Sequence, residues 1–231
     1  MKLYDKKQID WNNLLFDNRA LFLLLLPIII EQLLNSLMGM VDTMMVSTVG
    51  SEAISAVSLV DSVNNLVIQI FSAMASGAAI ICSQYIGSGN EQESNKAARQ
   101  VALTVLVIAL AIMGFCILGG ERLLRFIFGT VEEPVMDNAI IYFVITVISY
   151  PFLALFSAGA AFYRASGNAR FPMKVSVASN ILNITGNAVF IYVFRWGAAG
   201  AALATLLSRV FCTTVIFYCL RKPGQVIVVR D

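Results

Sequence analysis

Histidine is absent from this 231-residue chain. Imidazole general bases, His-ligated metals and Ser-His-Asp triads are therefore excluded as its chemistry. Charge is scarce as well. Charged side chains make up 13% of the residues, against about 25% in an ordinary soluble domain. The net charge of +2 is far too small for a nucleic-acid binder. Cysteine is limited to Cys82, Cys116, Cys212 and Cys219, each within an apolar run and none in CxxC or zinc spacing. They read as small buried apolar side chains. What fills the chain instead is hydrophobic: 58% of residues, with a mean hydropathy of +0.79. A water-soluble domain of this length cannot hide that much apolar surface, so the composition excludes a soluble enzyme and a disordered chain. It describes an integral membrane protein.

A membrane helix needs about 20 mostly apolar residues. Six stretches qualify, at 20–47, 53–86, 97–118, 138–163, 172–194 and 198–220. This predicts an all-α polytopic membrane fold, with residues 1–19 before the spans, a six-helix body over 20–221, and 222–231 after it. The first twenty residues mix Lys2, Lys6, Lys7 and Arg19 with Asp5, Asp10 and Asp17, unlike a cleavable signal. Gly50-Ser51, Gly87-Ser88-Gly89-Asn90 and Gly167-Asn168 punctuate the connections. Pro172 suits a helix start, and Pro223-Gly224 stops the sixth span. Pro27 and Pro151 fall inside spans one and four, where each frees a carbonyl and favours a bend.

With the N-terminus placed in the cytoplasm, inner segments hold twelve basic residues: Lys2, Lys6, Lys7, Arg19, Lys96, Arg99, Arg164, Arg170, Lys174, Arg221, Lys222 and Arg230. Outer segments hold three: Arg122, Arg125 and Arg195. This positive-inside bias predicts that both termini are cytoplasmic. The amphipathic run from Arg122 to Gly129 is expected to lie along the outer interface.

A charge at membrane depth is costly, so Glu31, Asp42, Asp61 and Arg209 are functional candidates by default. Glu31, Asn35, Met38 and Asp42 follow one another at spacings of 4, 3 and 4, on one face of span one. Ser176, Asn180, Asn183 and Asn187 repeat that spacing in span five, and span six offers Thr205, Ser208 and Arg209. At the helical rise, Asp42, Asn187 and Thr205 lie about 8, 10 and 12 Å below the outer ends of their spans. Asn183 is one turn deeper. A carboxylate, two amide oxygens and a hydroxyl at one level suit Na⁺, or a proton held with water. Arg209, at about 18 Å, is within reach of Glu31 at about 24 Å, so the two are expected to pair. Asp61, about 14 Å down span two, could take Arg209 instead or join the ion site. Asn180, Asn183 and Ser208 also suit plain helix–helix hydrogen bonding.

Several of these residues together resemble a known family. Span one reads Leu26-Pro27, Glu31-Gln32 and Met40-Val-Asp42-Thr-Met44, then Gly50. Gln84-Tyr-Ile-Gly87 follows span two, and Arg164-Ala-Ser-Gly167 precedes Pro172. Asn183 and Asn187 are four apart, and span six begins Gly200-Ala-Ala-Leu-Ala-Thr205. In this order they resemble the N-terminal half of multidrug and toxic compound extrusion (MATE) transporters. The resemblance implies a lobe of six helices that would need a second six-helix lobe, which lies outside this sequence. It implies export of amphipathic, often cationic drug-like molecules from the bacterial cytoplasmic membrane, in exchange for Na⁺ or H⁺, with no other cofactor and no nucleic acid. By position, Asp42, Asn183, Asn187 and Thr205 would form the cation site. Glu31, Asn35, Asp61, Asn180 and Arg209 would support it, and Pro27 would act as a hinge. Asn187 stands where one branch has a second aspartate, which leans towards Na⁺. The alternatives are a lipid-linked oligosaccharide flippase half, which should be richer in cavity cations, and a non-transporting scaffold.

Overall fold

The computed structural model describes residues 18–129, 131–222 and 227. The terminal segments expected at 1–19 and 222–231 therefore fall almost entirely outside the described residues. Seven α-helices follow in order: α1 (Asn18–Ser47), α2 (Ser51–Gly87), α3 (Glu91–Phe128), α4 (Glu133–Ile148), α5 (Tyr150–Ala165), α6 (Arg170–Asn187) and α7 (Gly197–Leu220). A π-helical segment, Ala188–Val193, extends α6. Five helices are each long and apolar enough to cross a membrane. The pair α4 and α5, bent by 44°, supplies a sixth span.

The bend falls where the sequence requires it. Ser149 separates the two helices and Pro151 opens α5. A proline there cannot donate to the preceding turn, and it clashes with the carbonyl four residues back. Ser149 closes the break by donating its hydroxyl to Thr146 O at 2.5 Å. Pro27 behaves differently, since α1 runs unbroken through it. The short connections depend on glycines in the left-handed region. Gly89 (φ 73°) ends the α2–α3 turn and Gly167 (φ 78°) ends the α5–α6 turn. Asn90 then caps α3 by accepting from Glu93 N at 3.2 Å.

α2 is the central post, packed on α3, α4 and α5, while α7 packs on α4, α5 and α6. α1 lies across α6 and touches α2 along a smaller area. Small residues set the closest approaches. A Cβ on Gly200 would sit 2.9 Å from Phe190 Cβ, and one on Gly186 would sit 3.0 Å from Ala204 Cβ. Close backbone approach of this kind is how helices associate where solvent supplies no hydrophobic drive. The two buried clusters centre on Phe71, Phe143 and Tyr150, and on Phe162, Ile216 and Leu220. The four cysteines are free thiols, three of them buried.

One expected element differs. Arg122–Gly129 is not a separate surface segment: residues up to Phe128 continue α3, which is 38 residues long. At the helical rise that is about 57 Å, well beyond a hydrocarbon layer of about 30 Å. The helix continues because this stretch holds no breaker before Gly129. Arg125 also ties the extension to Glu121 (3.1 Å) and, across the following turn, to Glu133 (3.2 Å).

Candidate functional site

The polar stripe of α1 runs along α6, with one ion pair reaching α5. From one end to the other, Glu31 pairs with Arg164 of α5 at 3.4 Å. Asn35 Oδ1 accepts from Ser176 Oγ at 3.3 Å, and Asp42 Oδ1 accepts from Asn187 Nδ2 at 2.6 Å. The matching 4-3-4 spacings on two helices thus become a set of cross-helix contacts.

Around Asp42 the four expected residues converge. Asn187 is fully buried, Asn183 nearly so, and Asp42 and Thr205 are half-buried. Asn187 Nδ2 also reaches Asn183 Oδ1 at 3.2 Å, and Asn183 Nδ2 reaches Thr205 Oγ1 at 3.2 Å. Turning the Asn183 amide end for end gives a second arrangement. Its nitrogen then donates to Asp42 Oδ1 at 2.8 Å, and its oxygen accepts from the Thr205 hydroxyl (3.2 Å) and backbone N–H (3.3 Å). Either way, neutral donors surround one carboxylate. Asn187 Oδ1 is buried with no hydrogen-bond partner among the described residues. An orphan buried acceptor beside a carboxylate is costly unless a cation or a water completes it. The π-helical segment begins at the next residue, Ala188. Such irregular turns recur at functional sites, because they displace side chains from the regular register.

Asn180 lies on the same face of α6, and its buried Nδ2 has no partner among the described residues. The Ser208 hydroxyl donates to Thr205 O within α7 at 2.9 Å, and its backbone carbonyl accepts from Ser179 Oγ of α6 at 3.1 Å.

Two expected pairings resolve differently. Glu31 takes Arg164 of α5, not Arg209 of α7. Arg209 instead donates from Nη1 to Ser149 Oγ at 2.5 Å, at the break in span four. Asp61 accepts from Asn64 Nδ2 (3.2 Å) and from the Tyr142 hydroxyl (3.4 Å). Asn64 Oδ1 in turn accepts from the Tyr150 hydroxyl at 2.8 Å.

The sequence reading therefore missed Asn64, Tyr142, Ser149 and Tyr150. Tyr142, Ser149 and Tyr150 are recruited by partners more than fifty residues away, which no local pattern marks, whereas Asn64 stood one turn from the candidate Asp61 and could have been found. It also missed a stripe that was readable. Ser58, Ser62, Asn65, Gln69, Ser72 and Ser76 are all exposed on α2, at spacings of 4, 3, 4, 3 and 4. Ser62 and Ser76 return their hydroxyls to the carbonyls four residues back. By contrast, the exposed positions Leu103, Val107, Leu110, Phe115 and Leu118 of α3 are apolar, as a lipid-facing surface requires.

Apolar spans that enclose a small set of buried polar and charged side chains define a polytopic membrane protein. Comparison with known proteins gives its family. The MatE family profile matches residues 27–189. An uncharacterized transporter, YisQ of Bacillus subtilis, is 32% identical over 210 residues, covering 89% of this chain and 46% of YisQ. A probable multidrug resistance protein NorM of Thermotoga maritima is 28% identical over 216 residues, covering 90% of this chain and 45% of NorM. A solved MOP superfamily transporter from Pyrococcus furiosus superposes with a TM-score of 0.86 at 24% identity, over 92% of this chain and 47% of that one. The chain belongs to the MatE family, whose members are transporters rather than enzymes. It spans about half the length of the curated relatives it matches, and its fold is one lobe of theirs.

Proposed function

We propose that this chain is the first lobe of a cation-coupled efflux antiporter for amphipathic, drug-like compounds, with Asp42, Asn183, Asn187 and Thr205 as its cation site. The observation that carries the reading is an acidic group held by neutral ligands. Asp42 has no ion pair among the described residues, yet it is gripped by Asn187 beside an unpartnered buried oxygen. Such a carboxylate is open to Na⁺ or to a proton, and capturing either removes an uncompensated charge from the bundle interior. One carboxylate with amide and hydroxyl oxygens is a hard-donor set that favours Na⁺.

In this reading, cation binding draws α1 and α6 together around Asp42, and α1 answers at Pro27, where its hydrogen-bond ladder is already interrupted. Export requires a second six-helix lobe, against which this one rocks. The twelve-to-three distribution of basic residues supports placing both termini in the cytoplasm of a bacterial cell. A lipid-linked oligosaccharide flippase is less well supported, since such a cavity should be rich in cations and Arg209, the guanidinium at membrane depth, is already engaged with Ser149. The test is thermal unfolding of the full chain in detergent, titrated with Na⁺ against choline and with pH. The native protein should be stabilised by one of these cations, and Asp42→Asn should respond to neither. An unchanged response in Asp42→Asn rejects the site.

A further inference from the structure

A second buried polar set adjoins the Asp42 cluster. Arg209 lies four residues, or about 6 Å of rise, beyond Thr205 on the same face of α7. It reaches Ser149 at the break of span four, and the next residue, Tyr150, donates to Asn64. Asn64 sits one turn from Asp61 on α2 and donates to it, as Tyr142 of α4 does from the other side. Thus α2, α4, α5 and α7 each contribute to a single network. That network holds one carboxylate and one guanidinium, which are not in direct contact. Asp42, on α1, connects to that same face of α7 through Asn187, Asn183 and Thr205.

The charge count follows from these placements. With both carboxyls ionised, the two adjoining sets hold Asp42 and Asp61, each −1, and Arg209, +1, for a net of −1. The Glu31–Arg164 pair nearby is neutral by itself. We infer that Asp61 and Arg209 set the valence of the cation site: Arg209 is a tethered counter-charge that offsets one of two carboxylates, so that the site takes one monovalent cation. Asp61 thereby supplies, from α2, a second carboxylate that α6 lacks, because α6 has Asn187 next to Asp42. Arg209 prevents that second carboxylate from demanding a second cation. Its bond to Ser149 also ties the charge state of the site to the bend in span four. This inference rests on the cation-coupled reading above, and it assigns positioning and selectivity to two residues outside the Asp42 ligand set.

Charge neutralisation in pairs tests it. Charges within about 10 Å of one another in a partly buried site influence one another by about tenfold in binding. The readout is the midpoint of the cation response of the full chain in nanodiscs, titrated with Na⁺ against choline and separately with protons. The charged and titratable groups facing the site are Asp42 on α1, Asp61 on α2, Tyr142 on α4, Tyr150 on α5 and Arg209 on α7. Asp61→Asn leaves a net charge of zero and should weaken the response about tenfold. Arg209→Gln leaves −2 and should strengthen it about tenfold. The double variant Asp61→Asn/Arg209→Gln restores −1 and should return to within about threefold of the native midpoint.

That recovery separates a charge-balancing role from a merely structural one, in which two losses accumulate. If Arg209→Gln alone does not fold, the comparison of Asp61→Asn with the double variant decides. A double variant as weak as Asp61→Asn, or weaker, overturns the inference and leaves the Asp42 site standing. A native chain with no cation response overturns the parent reading, and this one with it.

Discussion

Two carboxylates on α1, eleven residues apart and on one face, have opposite surroundings. Glu31 is buried against Arg164, a cation supplied by the protein. Asp42 is held by Asn187 and lies among amides and a hydroxyl, with no ion pair among the described residues. The pair at Glu31 is complete, so nothing needs to enter or leave it. Asp42 is incomplete, and the unpartnered Asn187 oxygen repeats the deficit. Burial of an acidic group in a membrane helix does not by itself mark a transport site; the identity of the group that compensates it does. Where that group is covalently part of the chain, the charge is structural. Where it must come from solution, the charge can be coupled to transport.

The most damaging test of this contrast is removal of the resident cation. Arg164→Met leaves Glu31 buried and unpaired, which should destabilise the chain by about 3 kcal/mol. This is the low end for a broken buried pair, because Arg164 keeps 28% of its side-chain surface exposed. The cation midpoint should not move. Denaturation and Na⁺ or pH titration of the same sample check both points, and a shifted midpoint would show that the two carboxylates are not independent.

Asn187→Ala comes next. It withdraws the amide that steadies Asp42, a hydrogen bond to a charged group, and should cost about 2 kcal/mol. In the proposed site it also removes an oxygen ligand, so the cation midpoint should weaken by about tenfold. Loss of stability with an unmoved midpoint would make Asn187 helix glue only.

How far the sequence carries this picture depends on the range of the interaction. The spans, their punctuation and the break near Pro151 are written locally, in apolar runs and in prolines and glycines. The Asp42, Asn183, Asn187 and Thr205 set was legible because each member lies on a regular helix, where residue number converts to depth at a fixed rise. Depth alone does not say which helices touch. Glu31 and Arg209 seemed to suit each other by level, yet the bundle sets Arg164 beside Glu31 and turns Arg209 towards Ser149. The run from Arg122 to Gly129 suits an interface by its amphipathicity, but with no breaker before Gly129 it extends α3. The α2 stripe from Ser58 to Ser76 is a different case: it was written at helical spacing and overlooked because serine carries little weight in a hydropathy profile.

Asn35 gives the finest probe, since it lies between the two carboxylates on the same face of α1 and is itself exposed. It accepts a single bond of 3.3 Å from Ser176. Asn35→Ala removes a neutral, partly solvated contact, so its expected cost is about 0.5–1 kcal/mol. No charge at either end of α1 depends on that bond. The cation midpoint should therefore stay within about twofold of the native value, since the site keeps its charge and its ligands. Double-mutant analysis sharpens the point: combined with Arg164→Met or with Asn187→Ala, Asn35→Ala should simply add its own small cost. A coupling larger than about 0.5 kcal/mol with both partners would mean that the α1–α6 seam acts as one cooperative unit. In that case Glu31 and Asp42 would be two ends of a single device rather than a structural charge and a working one.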